Sequence, residues 1–216
     1  KETNPPEHPG ILDSGRVPEE AGKKLGPPGG GGKRKSHISS PGSRKAGYRV
    51  RGGSPAGSRM VQEEEFRRVM GHFPTGVTVV ATRDGEGAPM GLTVSAFTSV
   101  SLDPVQILIC VHRNAGPHDP LLERGTFVVN ILSADQGHLA LRFATGPTGE
   151  RFRGLEYVES PLGDPVLPGL AWLACRVREV WPGGDHSVIL AEVEACEARE
   201  GRPLLWFKGR LEGGDG

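Results

Sequence analysis

The stretch GLTVSAFTSVSLDP, residues 91–104, carries hydroxyls at Thr93, Ser95, Thr98, Ser99 and Ser101 along what reads as extended, half-buried chain. Small donors in such a strand are costly to desolvate unless water or a polar ligand meets them. An edge strand with solvated hydroxyls and a ligand-lining strand both satisfy that requirement. A second stretch, WPGGDHSVILAEV (181–193), sets Gly183, Gly184, Asp185 and His186 directly before an apolar run. An imidazole there is either a structural residue at a strand start or a group that hydrogen bonds and stacks on a bound molecule.

Other chemistries find no support. DGEGAPMG (84–91) has Met90 where a dinucleotide fingerprint needs glycine, and it lies between two strands. GGGGKRKS has Arg34 after Lys33 instead of the Ser or Thr of a phosphate loop. No H-E-x-x-H, G-x-S-x-G or paired helical carboxylates occur, so hydrolase and metalloenzyme readings lack residues. Cys110, Cys175 and Cys196 are far apart and read as structural thiols, and His72, His112, His118 and His138 have no metal-ligand spacing and are assigned no chemistry.

The elements that must position these residues are short. EEEFRRVMGHFPTG places Phe66, Val69, Met70 and Phe73 at helical spacing behind three acids, predicting an amphipathic helix stopped by Pro74. GVTVVATR reads as a strand, RDGEGAP as a hairpin turn, and MGLTVSAFTSVSL as one resumed strand ended by Asp103-Pro104. VQILICV is a buried strand, PLLERG a short helix closed by Gly125, and TFVVNIL a strand. SADQGHLALRFA carries helix signals with Ser133 as a candidate cap. Residues 145–169, rich in Gly, Pro and charge, read as a long functional or mobile loop, and LAWLACRVREVW, SVILAEVEACEA and RPLLWFKGRL as three closing strands. Six or seven strands with hairpin-length links predict a mainly β, antiparallel barrel with short flanking helices.

The net charge is zero, but residues 1–59 hold 12 basic and 5 acidic residues and residues 60–216 hold 14 and 21. With 13 glycines, 8 prolines and few large apolar residues, the first segment cannot bury enough surface to offset ordering and reads as a disordered tail. It lacks the aromatic interleaving of a nucleic-acid binder, so no nucleic-acid partner is expected. The chain begins at Lys1 and Met60 opens the globular pattern, so the tail is a candidate for sequence upstream of the natural start. Residues 60–216 are the size of one domain. Without a membrane-length apolar run or a signal-peptide core, a cytoplasmic protein with no membrane partner is expected.

Taken together, FRRVMGHFPTGVTVVAT, GLTVSAFTSVSLDP, GTFVVNIL, LRFATGPTGERF, GGDHSVILAEV and LLWFKGR resemble, in order and spacing, the short-chain flavin reductases of two-component flavin-dependent monooxygenases. The match covers about residues 62 to 210. It implies a split β-barrel that binds FMN or FAD as a homodimer, with the flavin near the subunit interface and NADH or NADPH as co-substrate. By resemblance, Pro74, Thr75, Gly76, Val77 and Thr78, with Thr93, Val94, Ser95, Ala96, Thr98 and Ser99, line the isoalloxazine and ribityl chain.

The loop after VQILICV holds the flavin phosphate in the family. Here it reads HRNAGPHD, keeping Asn114 but placing Ala115, Gly116 and Pro117 where hydroxyls are usual, so Arg113 or backbone N–H groups take that task. Arg142 and Phe143 lie in the segment that the family sets beside the flavin, and Lys208 and Arg210 lie in its closing basic strand. By the same resemblance, Asp185 and His186 are expected to form the nicotinamide-binding element, with His186 contacting the dinucleotide.

The implied reaction passes a hydride from nicotinamide C4 to flavin N5, and the reduced flavin leaves for a monooxygenase. No side chain is needed as acid or base, and none is assigned. A flavin-binding split-barrel module that does not reduce flavin shares the pocket and remains the alternative.

Overall fold

The computed structural model describes residues 60–213; the basic tail, and with it the expected domain boundary near Met60, lies outside the described residues. Helix α1 (Glu63–Met70) has its three acids in the first turn and Arg67 and Arg68 in the last, matching the helix dipole at both ends. It ends at Gly71, before Pro74 is reached. Its apolar stripe, Phe66, Val69 and Met70, enters no core among the described residues, and none of its residues is buried there.

Strand β1 (Thr75–Gly76) is followed by β2 (Thr78–Arg83), the Asp84–Ala88 turn and β3 (Pro89–Val94). The turn forms as its sequence predicts: the Asp84 carboxylate accepts backbone N–H bonds from Glu86 and Ala88, and Gly87 takes a left-handed φ of 83°. The expected single strand from Met90 to Leu102 is instead two. It breaks at Ser95-Ala96, and β4 (Phe97–Leu102) lies at the opposite edge of the sheet, hairpinned to β5 (Val105–His112).

Helix α2 (His118–Arg124) closes on Gly125 at φ 71° and leads into β6 (Thr126–Ile131). Helix α3 (Gly137–Thr145) begins after Gln136, not at Ser133, whose hydroxyl donates to the Asp135 carboxylate. Gln136 takes over locally: its Oε1 accepts from the Ser133 N–H and its Nε2 donates to Pro168 O.

The Gly- and Pro-rich segment is packed rather than loose. It holds a 3-10 turn at Thr148–Glu150 and the paired strands β7 (Val158–Glu159) and β8 (Pro165–Val166). Asp164 is fully buried and receives the Arg124 guanidinium at 2.5 Å. Strands β9 (Ala171–Gly183) and β10 (His186–Ala198) form a long hairpin. The last segment, read as one strand, folds into a second hairpin, β11 (Leu205–Phe207) and β12 (Arg210–Glu212), around Lys208 and Gly209, both at positive φ.

Seven strands pair antiparallel in the order β3-β2-β6-β9-β10-β5-β4, and β1-β11-β12 forms a separate small sheet. The two edge strands of the large sheet are consecutive in sequence, so the sheet must curl until its edges meet at Ser95-Ala96. Register shifts in the β9–β10 ladder supply local bending. One buried cluster joins Val80, Leu92, Val94, Ile109, Phe127 and Ile189 from strands all around the curl. Strand β2 is buried on both faces because its other side, Val79 and Ala81, is covered by Leu139 and Phe143 of α3. The result is an antiparallel split barrel with a flanking helical layer: the strand count predicts the antiparallel barrel, and the family resemblance its split form.

Candidate functional site

The break in the hydroxyl-rich stretch creates the site. Where β3 turns into β4, the Phe97 N–H bonds Ser95 O and the Cys110 N–H bonds Ala96 O, so Ser95 and Ala96 stand at the mouth of the curl. Opposite them, the C-terminal end of α1 hands the chain through Phe73 and Pro74 to β1, which pairs with β11 as Thr75↔Trp206 and Gly76↔Leu205. Between these walls lies a cavity of about 730 Å³, bounded by Phe66, Met70 and Phe73 on one side, Ser95 to Thr98 with Leu108 and Cys110 on the other, and Trp206 at the rim. Two smaller hollows adjoin it, about 310 Å³ at Pro74–Gly76 and about 290 Å³ between Thr93, α3 and Trp206; Ser95 borders all three.

The walls are mainly apolar with hydroxyls on their edge, the chemistry a flat heteroaromatic ring needs: contact for its faces and partners for its polar rim. Ser95 and Thr98 are exposed, whereas Thr75 Oγ1 is buried and has no hydrogen-bond partner. A buried hydroxyl left unpaired is expensive, and a ligand atom in the cavity would satisfy it.

Not every expected residue reaches this space. Pro74, Thr75, Gly76, Ser95, Ala96 and Thr98 converge on it. Val77 borders only the smallest hollow, and Val94 is core. Thr78 borders the hollow at Pro74–Gly76 and Thr93 the smallest one, but their hydroxyls donate to Val94 O and Ala140 O, bonds of 2.7 Å each, which spends those donors on the scaffold. Ser99 follows Thr98 on the opposite face of β4 and borders none of the hollows described. Phe143 is fully buried edge-to-face against Phe152, so it supports α3 from beneath. Arg142 braces the following segment by donating to Glu150 O and Arg153 O. Lys208 holds the hairpin turn against Gly71 through its backbone N–H, and Arg210 is exposed.

Arg113, Asn114, Asp185 and His186 form a second cluster at the far end of β5. Gly184, at φ 71°, and Asp185 are the two-residue turn of the β9–β10 hairpin, and His186 opens β10 directly opposite His112. The Asp185 carbonyl accepts the Arg113 N–H, and its carboxylate accepts from His186 Nδ1 at 2.7 Å. That hydrogen bond holds the Asp185 carboxyl below the usual aspartate range, helped by electrostatic attraction to the neighbouring His186 and His112 rings. Ala115 packs on the core and Gly116 faces Thr148, where a Cβ would come within 2.9 Å of its hydroxyl oxygen.

The two clusters share one face. Leu108, Cys110 and His112 are alternate residues on β5, so the row that walls the cavity continues to His112, about 7 Å beyond Cys110. Cys110, His112 and Trp206 were not foreseen, because cross-strand register and the docking of the terminal hairpin carry no signal in local sequence.

The pattern of the flavin reductase like domain matches residues 70–215. The chain belongs to the flavin reductase like family. The reductase subunit HsaB of a flavin-dependent monooxygenase from Rhodococcus jostii is 36% identical over 166 residues, covering 76% of this chain and 84% of that protein. An FMN reductase (NADH), SmoA, from Agrobacterium fabrum is 40% identical and covers 67% of this chain and 82% of its own length. The crystal structure of the Streptomyces globisporus NADH:FAD oxidoreductase SgcE6 with NAD and FAD fragments superposes with a TM-score of 0.65 at 35% identity, over 72% of this chain and 96% of that chain. Among the described residues of this family member, no helix is long and apolar enough to cross a membrane.

Proposed function

We propose that this protein is an NAD(P)H-dependent flavin oxidoreductase that supplies diffusible reduced flavin to a monooxygenase partner. The observation that carries the reading is the continuous face of β5, which joins a hydroxyl-edged cavity at Ser95 and Thr75 to the Asp185–His186 turn. Bound FMN or FAD supplies the hydride acceptor at N5, and the nicotinamide is the donor.

The chain's own residues bind and orient. Thr75, Ser95 and Thr98 offer hydroxyls to the polar edge of the ring, Ala96 and Gly76 allow close backbone approach, and Trp206 and Phe73 cover apolar surface. The Arg113–Asn114 turn receives the phosphate, with the guanidinium replacing the hydroxyls that Ala115 and Gly116 lack. His186 meets the nicotinamide half, and residues 60–216 act as one catalytic domain.

A second copy covers the open face. Phe66, Val69, Met70 and Phe73 all stay exposed at helical spacing beside the cavity, the kind of apolar surface a partner covers. A homodimer through this strip buries it and closes the flavin site from outside.

The test adds FMN or FAD to the purified full chain and follows nicotinamide absorbance. Oxidation of NADH or NADPH that depends on added flavin supports the reading. Flavin binding without oxidation shifts it to a non-catalytic flavin module, and neither binding nor oxidation overturns both.

A further inference from the structure

We propose that His112 is a positioning residue for the nicotinamide, acting through Asp185 and His186; the proposal rests on the reductase reading above. His112 and His186 are paired Cα partners across the β5–β10 ladder, so their side chains leave the same face of the sheet. Their rings meet edge to face, with centroids 5.0 Å apart and planes at 77°. Such a contact resists rotation of each half-exposed ring about its terminal torsion.

The hydrogen bonds fix both tautomers, and in opposite senses. The Asn114 N–H donates to His112 Nδ1 at 3.0 Å, so that nitrogen keeps its lone pair and neutral His112 carries its proton on Nε2. His112 Nε2 faces Asp185 Oδ2 at 3.7 Å, too long for a hydrogen bond but close enough for attraction to the carboxylate. The other oxygen, Oδ1, accepts from His186 Nδ1 at 2.7 Å, which puts the proton of neutral His186 on Nδ1. His186 Nε2 is therefore left with a lone pair and has no partner among the described residues. An outward lone pair accepts an N–H, and the carboxamide N–H of a nicotinamide is such a donor. His112 thus keeps Asp185 turned toward His186 and keeps the His186 ring from pivoting, without touching the dinucleotide itself.

Two readouts on the full chain test this. In long-range proton–nitrogen spectra of the histidine-labelled protein without nucleotides, His112 is expected as the Nε2–H form and His186 as the Nδ1–H form. H112A should release His186 into a mixture of tautomers, whereas H112Q, which keeps an N–H near the Nε2 position, should preserve it. In kinetics, H112A should raise the nicotinamide KM about three- to tenfold, as loss of one positioning contact does, and leave kcat and the flavin KM within about twofold. H112Q should recover most of the loss, and H112A should add nothing in an H186A background, because its effect passes through that ring. An unchanged His186 tautomer in H112A, or full additivity with H186A, overturns the proposal. If H186A itself leaves the nicotinamide KM unmoved, the reading of His186 fails, while the spectra still decide whether His112 orients the ring.

Discussion

Thr75 and Trp206 stand directly opposite each other in the two-residue ladder that ties the start of the barrel to its closing hairpin. Thr75 Oγ1 is buried beside the cavity with no partner. Replacing it with the similarly shaped valine removes an unpaired hydroxyl from the protein without ligand and removes a donor from the protein with flavin. T75V should therefore stabilise the flavin-free protein by about 1 kcal/mol in denaturant melts and weaken flavin binding by about tenfold in fluorescence titration, since an unmet buried group costs ~1–3 kcal/mol. Both changes in the same direction would remove Thr75 from the flavin site.

The three thiols should separate by burial. Cys196 is exposed, Cys110 borders the cavity, and Cys175 is buried with its thiol pushed up to about 12, first by burial and then by Cys196 and Glu194. Burial also raises the Cys110 thiol. Only the thiolate alkylates, and a raised pKa means less of it at any given pH. Iodoacetamide should label Cys196 first and Cys110 slowly, with Cys175 silent until the protein unfolds. Saturating FMN or FAD should protect Cys110 and leave Cys196 unaffected. Equal labelling of Cys110 with and without flavin would move the flavin elsewhere.

The β2–β3 hairpin, the Gly125 stop and the long β9–β10 strands were legible because each depends on residues near one another in sequence: a turn built on Asp84 and two glycines, a left-handed glycine, runs of β-branched residues. The break at Ser95-Ala96 was not. Hydroxyl and apolar residues continue the extended pattern straight through it, and only closure of the sheet forces the chain to change edges there. The same limit hid His112, whose meaning comes from the opposed position on β10, 74 residues later. Of the residues expected at the site, Phe143 is turned into the core, and Thr78 and Thr93 line the smaller hollows with their hydroxyls already bonded to the scaffold, since strand alternation and helix docking decide which face a side chain joins.

Gly91 leaves no room for a side chain. A Cβ there would stand 2.8 Å from Phe143 Cε1 and 3.1 Å from Val80 O. The ring cannot retreat freely, because Phe152 holds it at 4.9 Å. G91A should cost about 1–3 kcal/mol in denaturant melts, the usual penalty of overpacking, and displace α3 from Thr93. G91A combined with F143L should recover much of that loss. An additive double variant would show that the clash with Val80 O dominates.

Val69 separates assembly from ligand contact. It is 56% exposed on the apolar strip of α1, yet unlike Phe66 and Met70 it does not border the cavity. If a second copy covers this strip, the wild-type chain should sediment at twice its 23.0 kDa, and V69E should sediment at one chain mass because a carboxylate cannot be desolvated there without a partner. Its own fold should be unharmed, since no residue of α1 is buried among the described residues. The flavin affinity of V69E then decides whether the neighbouring copy completes the site: a drop that follows dissociation means that it does, and unchanged binding by the monomer means that one chain holds the flavin alone. A wild-type protein that is monomeric at micromolar concentration would refute the dimer.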